Sequence, residues 1–450
     1  MRRELRATFR LALPLAIAQL STYIMGVVDT ACVGRFSADA LAAVAIGNSI
    51  HWGFAALGMG VSLALDPLIA QAVGAREPET AWNWLRLGVR AAVWVAVPLV
   101  LLELLLASNL TLIGIDAELA DLILDYCLFR APAMIMSLLF YVTRSYLQAH
   151  EMTRPIVLAA LVANLVNLVS DVLLVFGDEG LVAAGLPPMG LEGYGALGVG
   201  FTTLISSIVM ASIVGLYALR MRPSPAGISA VSRTRTLLRI SVPLGLQQAA
   251  EAAMFSITAL AVGRYGAVVS GAHQVALTCA AFAFMFALGI SSATAVRVGQ
   301  AVGSQRAGGV RRAGLAGGIL AMAIMSCFAT AFLTIPEFFA ALLTDQQPVL
   351  ELGASLLVYA AAFAVFDGLQ VAMAGALRGA GDIRVPFVMT MGCYWLCGIP
   401  MGLYLSFGAE QGVQGLWMGL VTGLVLASFL LGARFTWLVR RPIQRVEGQP

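Results

Sequence analysis

The sequence predicts an all-α integral membrane protein of twelve transmembrane helices, arranged as two six-helix lobes related by a pseudo-two-fold axis along the membrane normal. Three observations predict it. The 450 residues are 60% hydrophobic and only 11% charged, against roughly 25% charged in soluble domains. Apolar runs of membrane-spanning length follow one another from Leu11 to Leu438, separated by short polar breaks. The chain also repeats itself. Gln71-Ala-Val-Gly74 recurs as Gln300-Ala-Val-Gly303, Val33-Gly34-Arg35 as Val262-Gly263-Arg264, and Pro14 as Pro243, each pair 229 positions apart (14 to 243, 34 to 263, 71 to 300).

In order, the twelve runs cover 11–34, 45–73, 84–108, 119–146, 155–177, 194–219, 237–263, 271–302, 312–334, 350–378, 385–407 and 412–438. Segments 2, 4, 8 and 10 exceed the hydrocarbon thickness, so they tilt or extend into the aqueous layers. Six segments per half is an even number, so the second half re-enters the membrane in the orientation of the first. The predicted lobes are 1–220 and 237–450. They are joined by 221–236, a connector of Pro, Ser, Gly and Arg. A duplicated membrane bundle with a cavity between its halves is the usual build of a secondary transporter.

Arginine placement sets the orientation. Arg2, Arg3, Arg6 and Arg10 precede segment 1, and arginines also crowd the 2–3, 4–5, 6–7, 8–9 and 10–11 connections and the C-terminus. The opposite loops hold only Arg35 and Arg264, with acids such as Asp116, Asp178, Glu337 and Asp345. Both termini are therefore expected in the cytoplasm. No small-residue cleavage site follows the N-terminal arginines, so no removable signal peptide is read.

Every basic residue is Arg. That excludes a GxxxxGK[ST] phosphate loop and any lysine Schiff base, and leaves an ion gradient as the energy source. No cofactor is expected, and no nucleic-acid partner. The six cysteines lie in apolar segments and read as small buried hydrophobes. His51, His150 and His273 do not form a metal set.

An acid in the hydrocarbon costs roughly 2.5–3.5 kcal/mol on insertion scales, so each such residue needs an explanation. Asp66, Glu103 and Asp125 lie near segment ends and are expected to reach headgroups or water, although Asp125 has a second option in pairing with Arg130. Asp29 and Asp171 lie six or so positions before the outer ends of segments 1 and 5. Asn164, Asn167 and Asp171 make a polar stripe at i, i+3, i+7, and Thr203 comes to similar depth on segment 6. Asp29, Asn167, Asp171 and Thr203 are thus a candidate cation or proton site of the N-terminal lobe. Oxygen ligands suit Na⁺, and crowded carboxylates equally suit proton carriage. In the C-terminal lobe, Glu251 and Asp367 come near the midplane when counted inward at the helical rise of about 1.5 Å per residue. Each heads a polar patch, with Gln247 and Gln248 beside Glu251 and Gln370 beside Asp367. These five make a second candidate site for cation, proton or substrate; a purely structural hydrogen-bond network is the alternative.

These residues carry a resemblance. Val27-Val28-Asp29-Thr30, Asn167-Leu-Val-Ser-Asp171, Gly195-Ala-Leu-Gly198 with Thr202-Thr203, Ala272-His273-Gln274-Val275-Ala276, Arg297-Val-Gly-Gln300, and Asp367 with Gly375-Ala-Leu-Arg378-Gly379 resemble motifs of the multidrug and toxic compound extrusion (MATE) family. Glu251 resembles the seventh-helix acid of its NorM-like branch, and the likeness covers nearly the whole chain. It implies two lobes in a V, alternating access, and export of hydrophobic, often cationic compounds in exchange for H⁺ or Na⁺. It further implies residence in the bacterial inner membrane, among lipids and as a monomer. The chain departs from the pattern at Asp66, where a small hydroxylated residue is usual, and at Phe363, where some Na⁺-coupled members have Tyr.

Two rival functions make distinct demands. A lipid-linked oligosaccharide flippase of related build needs several cavity arginines for pyrophosphate, and here Arg130 alone lies well inside a segment. Gly379-Ala-Gly381-Asp382 spells the GxGD of intramembrane aspartyl proteases, but Asp382 lies in the 10–11 loop and no Tyr-Asp partner occurs.

Overall fold

Long helices are the element that an apolar chain is driven to form, because in hydrocarbon every backbone N–H and C=O must be paired within the segment. The computed structural model describes residues 1–183, 185–223 and 231–446, so the middle of the predicted 221–236 connector lies outside the described residues. Among the described residues there is no strand. In chain order the α-helices are α1 (Arg2–Phe36), α2 (Ala38–Gly74), α3 (Pro78–Ala107), α4 (Ala117–Ala149), α5 (Arg154–Leu174), α6 (Asp178–Ala183), α7 (Ala196–Arg220), α8 (Val231–Gly263), α9 (Ala267–Gly303), α10 (Ala307–Thr334), α11 (Pro336–Ala341), α12 (Gln347–Gly379), α13 (Arg384–Met391), α14 (Ile399–Leu403) and α15 (Gly412–Leu438).

Among the described residues, eleven spans are long and apolar enough to cross a membrane. The twelfth long helix, α8, is 33 residues. Its hydropathy is diluted by Gln247, Gln248 and Glu251, the polar residues singled out as a candidate site. Large apolar side chains stand in the open on these helices, among them Trp94, Leu101, Leu396 and Phe429. Such a surface is expected to face lipid tails rather than water.

Segment 11 is a single span of mixed winding, in which α13 and α14 alternate with π-helical stretches at Gly392–Gly398 and Tyr404–Gly408. Pro400, which has no N–H to donate, sits between the two. This span runs against α15 on small residues. A Cβ on Gly419 would collide with the backbone of Gly402, so the two helices meet at backbone distance.

The chain groups into two compact units. One comprises Met1–Leu20, Asp66–Glu77 and Ala250–Pro450, and the other Ser21–Leu65 and Pro78–Ala249. In the first, α12 packs along α9, α10 and α15 around a core that includes Ala272, Phe363 and Trp417. Gly375 and Gly379 seat α12 on the backbone of Ser291 and Ala295 in α9, which gives the Gly375–Gly379 phrase a packing role. The repeated phrase meets its own copy in this unit. A Cβ on Gly74 would strike the carbonyl of Gln300, and one on Gly303 would strike the carbonyl of Gln71. The contact is reciprocal, as a local two-fold requires. Around it, Gln71 donates to the Gly379 carbonyl at 3.1 Å and accepts from the Val446 amide at 2.9 Å, and Arg445 grips Glu77 with both Nη atoms at 2.8 and 2.9 Å.

In the second unit, α4 packs against α3 and α7, and α5 against α7, over a core built on Val44, Ile123, Tyr126 and Val199. Between α5 and α7 the sequence reading had no element, but α6 forms there. Asp178 holds the loop that follows it, accepting from the amides of Met189, Gly190 and Leu191 at 2.8, 2.9 and 3.1 Å. These amide donors hold the Asp178 carboxyl below the usual carboxylate range. A depressed pKa makes the loop's stabilisation complete above the unfolded value of about 3.9 and lost as pH falls through the folded one. The expected result is a high hydrogen-exchange protection factor, measured against the intrinsic rate at each pH, at Met189, Gly190 and Leu191 at neutral pH that falls in acid, and a low one at every pH in Asp178→Ala.

Candidate ion and substrate sites

Among the described residues, each unit holds a pocket with acid side chains in its lining. In the second unit, α1, α2, α4 and α7 enclose about 110 Å³ lined by Asp29, Asn48, His51, Tyr126, Arg130 and Thr203, with Met25, Met59, Met134 and Met210 on the apolar walls. The stripe expected on α5 faces inward: Asn167 and Asp171 are 1% and 0% exposed. Asn167 donates from Nδ2 to Asp29 Oδ1 at 2.8 Å, and Thr203 Oγ1 stands 3.4 Å from Asp29 Oδ2. Asp171 lies beside Asp29, near enough for the two carboxyls to interact, yet neither of its oxygens meets hydrogen-bond geometry with a partner. The four residues expected to converge in the N-terminal half therefore do so. Asn164 turns away and donates to Ser21 Oγ and the Ser21 carbonyl at 2.7 and 2.9 Å.

The sequence reading missed three partners here. Arg130 does not pair with Asp125. Five positions apart on one helix, the two point about 140° from each other, and Asp125 is exposed. Arg130 instead donates from Nη1 to Thr203 Oγ1 at 3.0 Å and from Nη2 to Asn48 Oδ1 at 2.8 Å. Glu103, expected at headgroup level, is fully buried and lies 3.0 Å from His51 Nδ1. The only sequence signal for that pair is two polar residues at matched depth in neighbouring apolar segments. Removing one member strands the other in an apolar wall, at a cost of about 3 kcal/mol. His51→Ala and Glu103→Gln are each expected to lower the detergent-solubilised melting temperature, and the double variant to lose no more than the worse single. A strictly additive double-mutant cycle would show that the pair is not coupled.

In the first unit the pocket holds about 260 Å³ and its lining is more apolar. Glu251, Asp367 and Gln370 are set among Met254, Phe255, Phe284, Phe363 and Tyr394. Asp367 and Gln370 are 7% and 2% exposed. Glu251 and Asp367 share the pocket and feel each other's charge. Phe363 packs edge-on to Phe255 and Trp417. Gln247 and Gln248 do not line this pocket and group with the second unit, so three of the five residues expected at the second site come together.

Asp66, expected to reach water, is 6% exposed and pairs with Arg378 at 3.5 Å. Asp382 of the GxGD phrase is held by Arg434 at 2.7 Å, a structural ion pair. Among the described residues, no His, Cys, Asp and Glu cluster could hold a metal ion.

The MatE family model matches residues 14–173 and again 243–404, two matches whose starts are offset by the same interval as the internal repeat. The chain is 34% identical to the "Probable multidrug resistance protein NorM" of Xanthomonas axonopodis pv. citri, covering 97% of this chain and 95% of that one. It is 31% identical to the "Multidrug resistance protein NorM" of Vibrio vulnificus, covering 98% and 97%. Among solved structures it resembles the eukaryotic MATE transporter AtDTX14, with a TM-score of 0.84 at 22% identity over 99% of both chains. It also resembles a multidrug resistance MATE family transporter in an outward-facing conformation, with a TM-score of 0.86 at 19% identity over 97% and 96%. With the family model, the relatives and the fold in agreement along nearly its whole length, the chain belongs to the MatE family of membrane transporters and is NorM-like within it.

Proposed function

We propose that the protein is a cation-coupled antiporter that exports hydrophobic, often cationic small molecules by alternating access of two lobes, 1–220 and 237–450. The coupling ion is H⁺ or Na⁺, the membrane is the bacterial inner membrane with both termini in the cytoplasm, and the working unit is a monomer without cofactor. The observation that carries the reading is the apolar, aromatic-lined pocket holding two acids, Glu251 and Asp367. Its size nears the roughly 300 Å³ at which small-molecule sites begin. Its walls favour a lipophilic body and its carboxyls a positive charge. The names of the relatives agree with this reading.

The cycle follows from competition. A cation or proton loaded onto the carboxylates displaces a cationic substrate outward, and the substrate-loaded form returns. Exchange of one proton for one monovalent cation is electroneutral and draws only on the pH difference. Each additional coupling charge adds about 2.3 kcal/mol per 100 mV. The test is efflux of a fluorescent lipophilic cation from proteoliposomes under separately imposed Na⁺ and H⁺ gradients, comparing wild type with Asp29→Asn and Glu251→Gln. Drive by one gradient, lost in the variants, is expected. Dye that moves under neither gradient overturns the reading and brings the flippase forward.

A further inference from the structure

The pocket around Asp29 already contains a cation. Arg130 stays protonated in proteins, and here it is 7% exposed. Its Nη1 takes up Thr203 Oγ1 as acceptor and its Nη2 takes up Asn48 Oδ1. The single hydrogen of the Thr203 hydroxyl then points to an oxygen, the Val199 carbonyl at 2.9 Å or Asp29 Oδ2 at 3.4 Å. Two neutral oxygens that a metal ion would need are thus committed to the guanidinium. Asn167 presents its NH₂ group, not its oxygen, to Asp29. A hard cation requires several oxygen ligands at once, and a like charge one hydroxyl away opposes its entry. A proton requires only one carboxyl oxygen, and Asp171, fully buried beside Asp29, offers it.

We infer that Arg130 is an ion-selectivity residue: a built-in cation that keeps Na⁺ and cationic substrates out of the Asp29–Asp171 site and leaves it to protons. The inference rests on the antiport proposed above. The titratable and charged groups around the site are Asp29, Cys32 and Arg35 from α1, His51 from α2, Glu103 from α3, Tyr126 and Tyr141 from α4 and Asp171 from α5, together with Arg130 itself. Arg130 offsets one of the two central carboxylates, and a single proton neutralises the other. Among the described residues, the Glu251–Asp367 pocket has no arginine in its lining, so the two acid pairs differ in kind: one has an internal counter-ion, and the other is left for a mobile cation.

The experiment measures ²²Na⁺ binding to the purified full-length protein at one fixed pH, in wild type, R130K and R130Q, each with and without D29N. Binding at Asp29 is the part that D29N removes. It is expected to be absent in wild type and in R130K, which keeps the charge. In R130Q it is expected to be tighter by about ten- to hundredfold and to vanish in R130Q/D29N. Asp29-dependent binding in wild type overturns the inference, as does a folded R130Q that binds no more tightly than wild type. If R130Q does not fold, the wild-type and D29N pair still decides, because an Asp29-dependent Na⁺ signal overturns the inference and its absence supports it. Proteoliposomes that respond to neither gradient bring down the antiport reading and leave this binding comparison intact, so the two failures are distinguishable.

Discussion

Asp367→Asn is expected to cut gradient-driven efflux of a monovalent cationic dye at least about tenfold and to weaken equilibrium binding of that dye by a similar factor. Asp367 is 7% exposed in a pocket walled by Phe255, Phe284 and Phe363. There a carboxylate about 4 Å from a cation is worth up to about 4 kcal/mol at an effective dielectric of 20. Desolvation of both charges offsets part of this, and a net loss of about 1.4 kcal/mol is already tenfold. The volume change from carboxyl to amide is negligible, so the pocket keeps its shape and the charge alone is tested. A neutral lipophilic substrate is the internal control and is expected to retain its affinity. Loss of both substrates in equal measure would show that Asp367 shapes the pocket rather than neutralising a cation.

The largest stability effect is expected at the self-meeting repeat. Gly303→Leu drives a side chain into the backbone carbonyl of Gln71, and the same change at Gly74 drives one into Gln300. Backbone cannot rotate aside as a flexible side chain does. Each variant is therefore expected to lose about 3 kcal/mol or more, read as a large fall in melting temperature or failure to purify as a monodisperse protein. Gly432→Leu supplies the contrast. A Cβ there meets nothing within 4 Å, and leucine in place of helical glycine is expected to be neutral or stabilising by up to about 1 kcal/mol. Equal tolerance at Gly303 and Gly432 would contradict the close contact.

Much of the site was legible before any helix was placed. Asp29 and Asp171 stand at equal depth on segments that run the same way, and Asn167 falls one turn from Asp171, so their convergence needed only six adjacent helices. Asp367 and Gln370 were legible for the same reason, being three residues apart on one face. Gln247 and Gln248 stand one turn before Glu251 on the same helix yet outside the lining of its pocket, because that pocket begins at the level of Glu251. Glu103 was misjudged: its place near a segment end pointed to water, whereas the fold turns it inward onto His51.

The succession of long apolar helices, the internal duplication and the family likeness could all be read from the chain before folding. They follow from local rules: backbone groups must pair inside each segment in lipid, and an apolar run of given length places its polar residues at given heights. The partners emerged with helix packing. Arg130 faces Thr203 and Asn48 rather than Asp125, Glu103 faces His51, and Gln71-Ala-Val-Gly74 faces its own copy. Those choices depend on how each helix is rotated about its axis. That rotation is set by where small residues let backbones approach, a property of pairs of helices that no single segment carries.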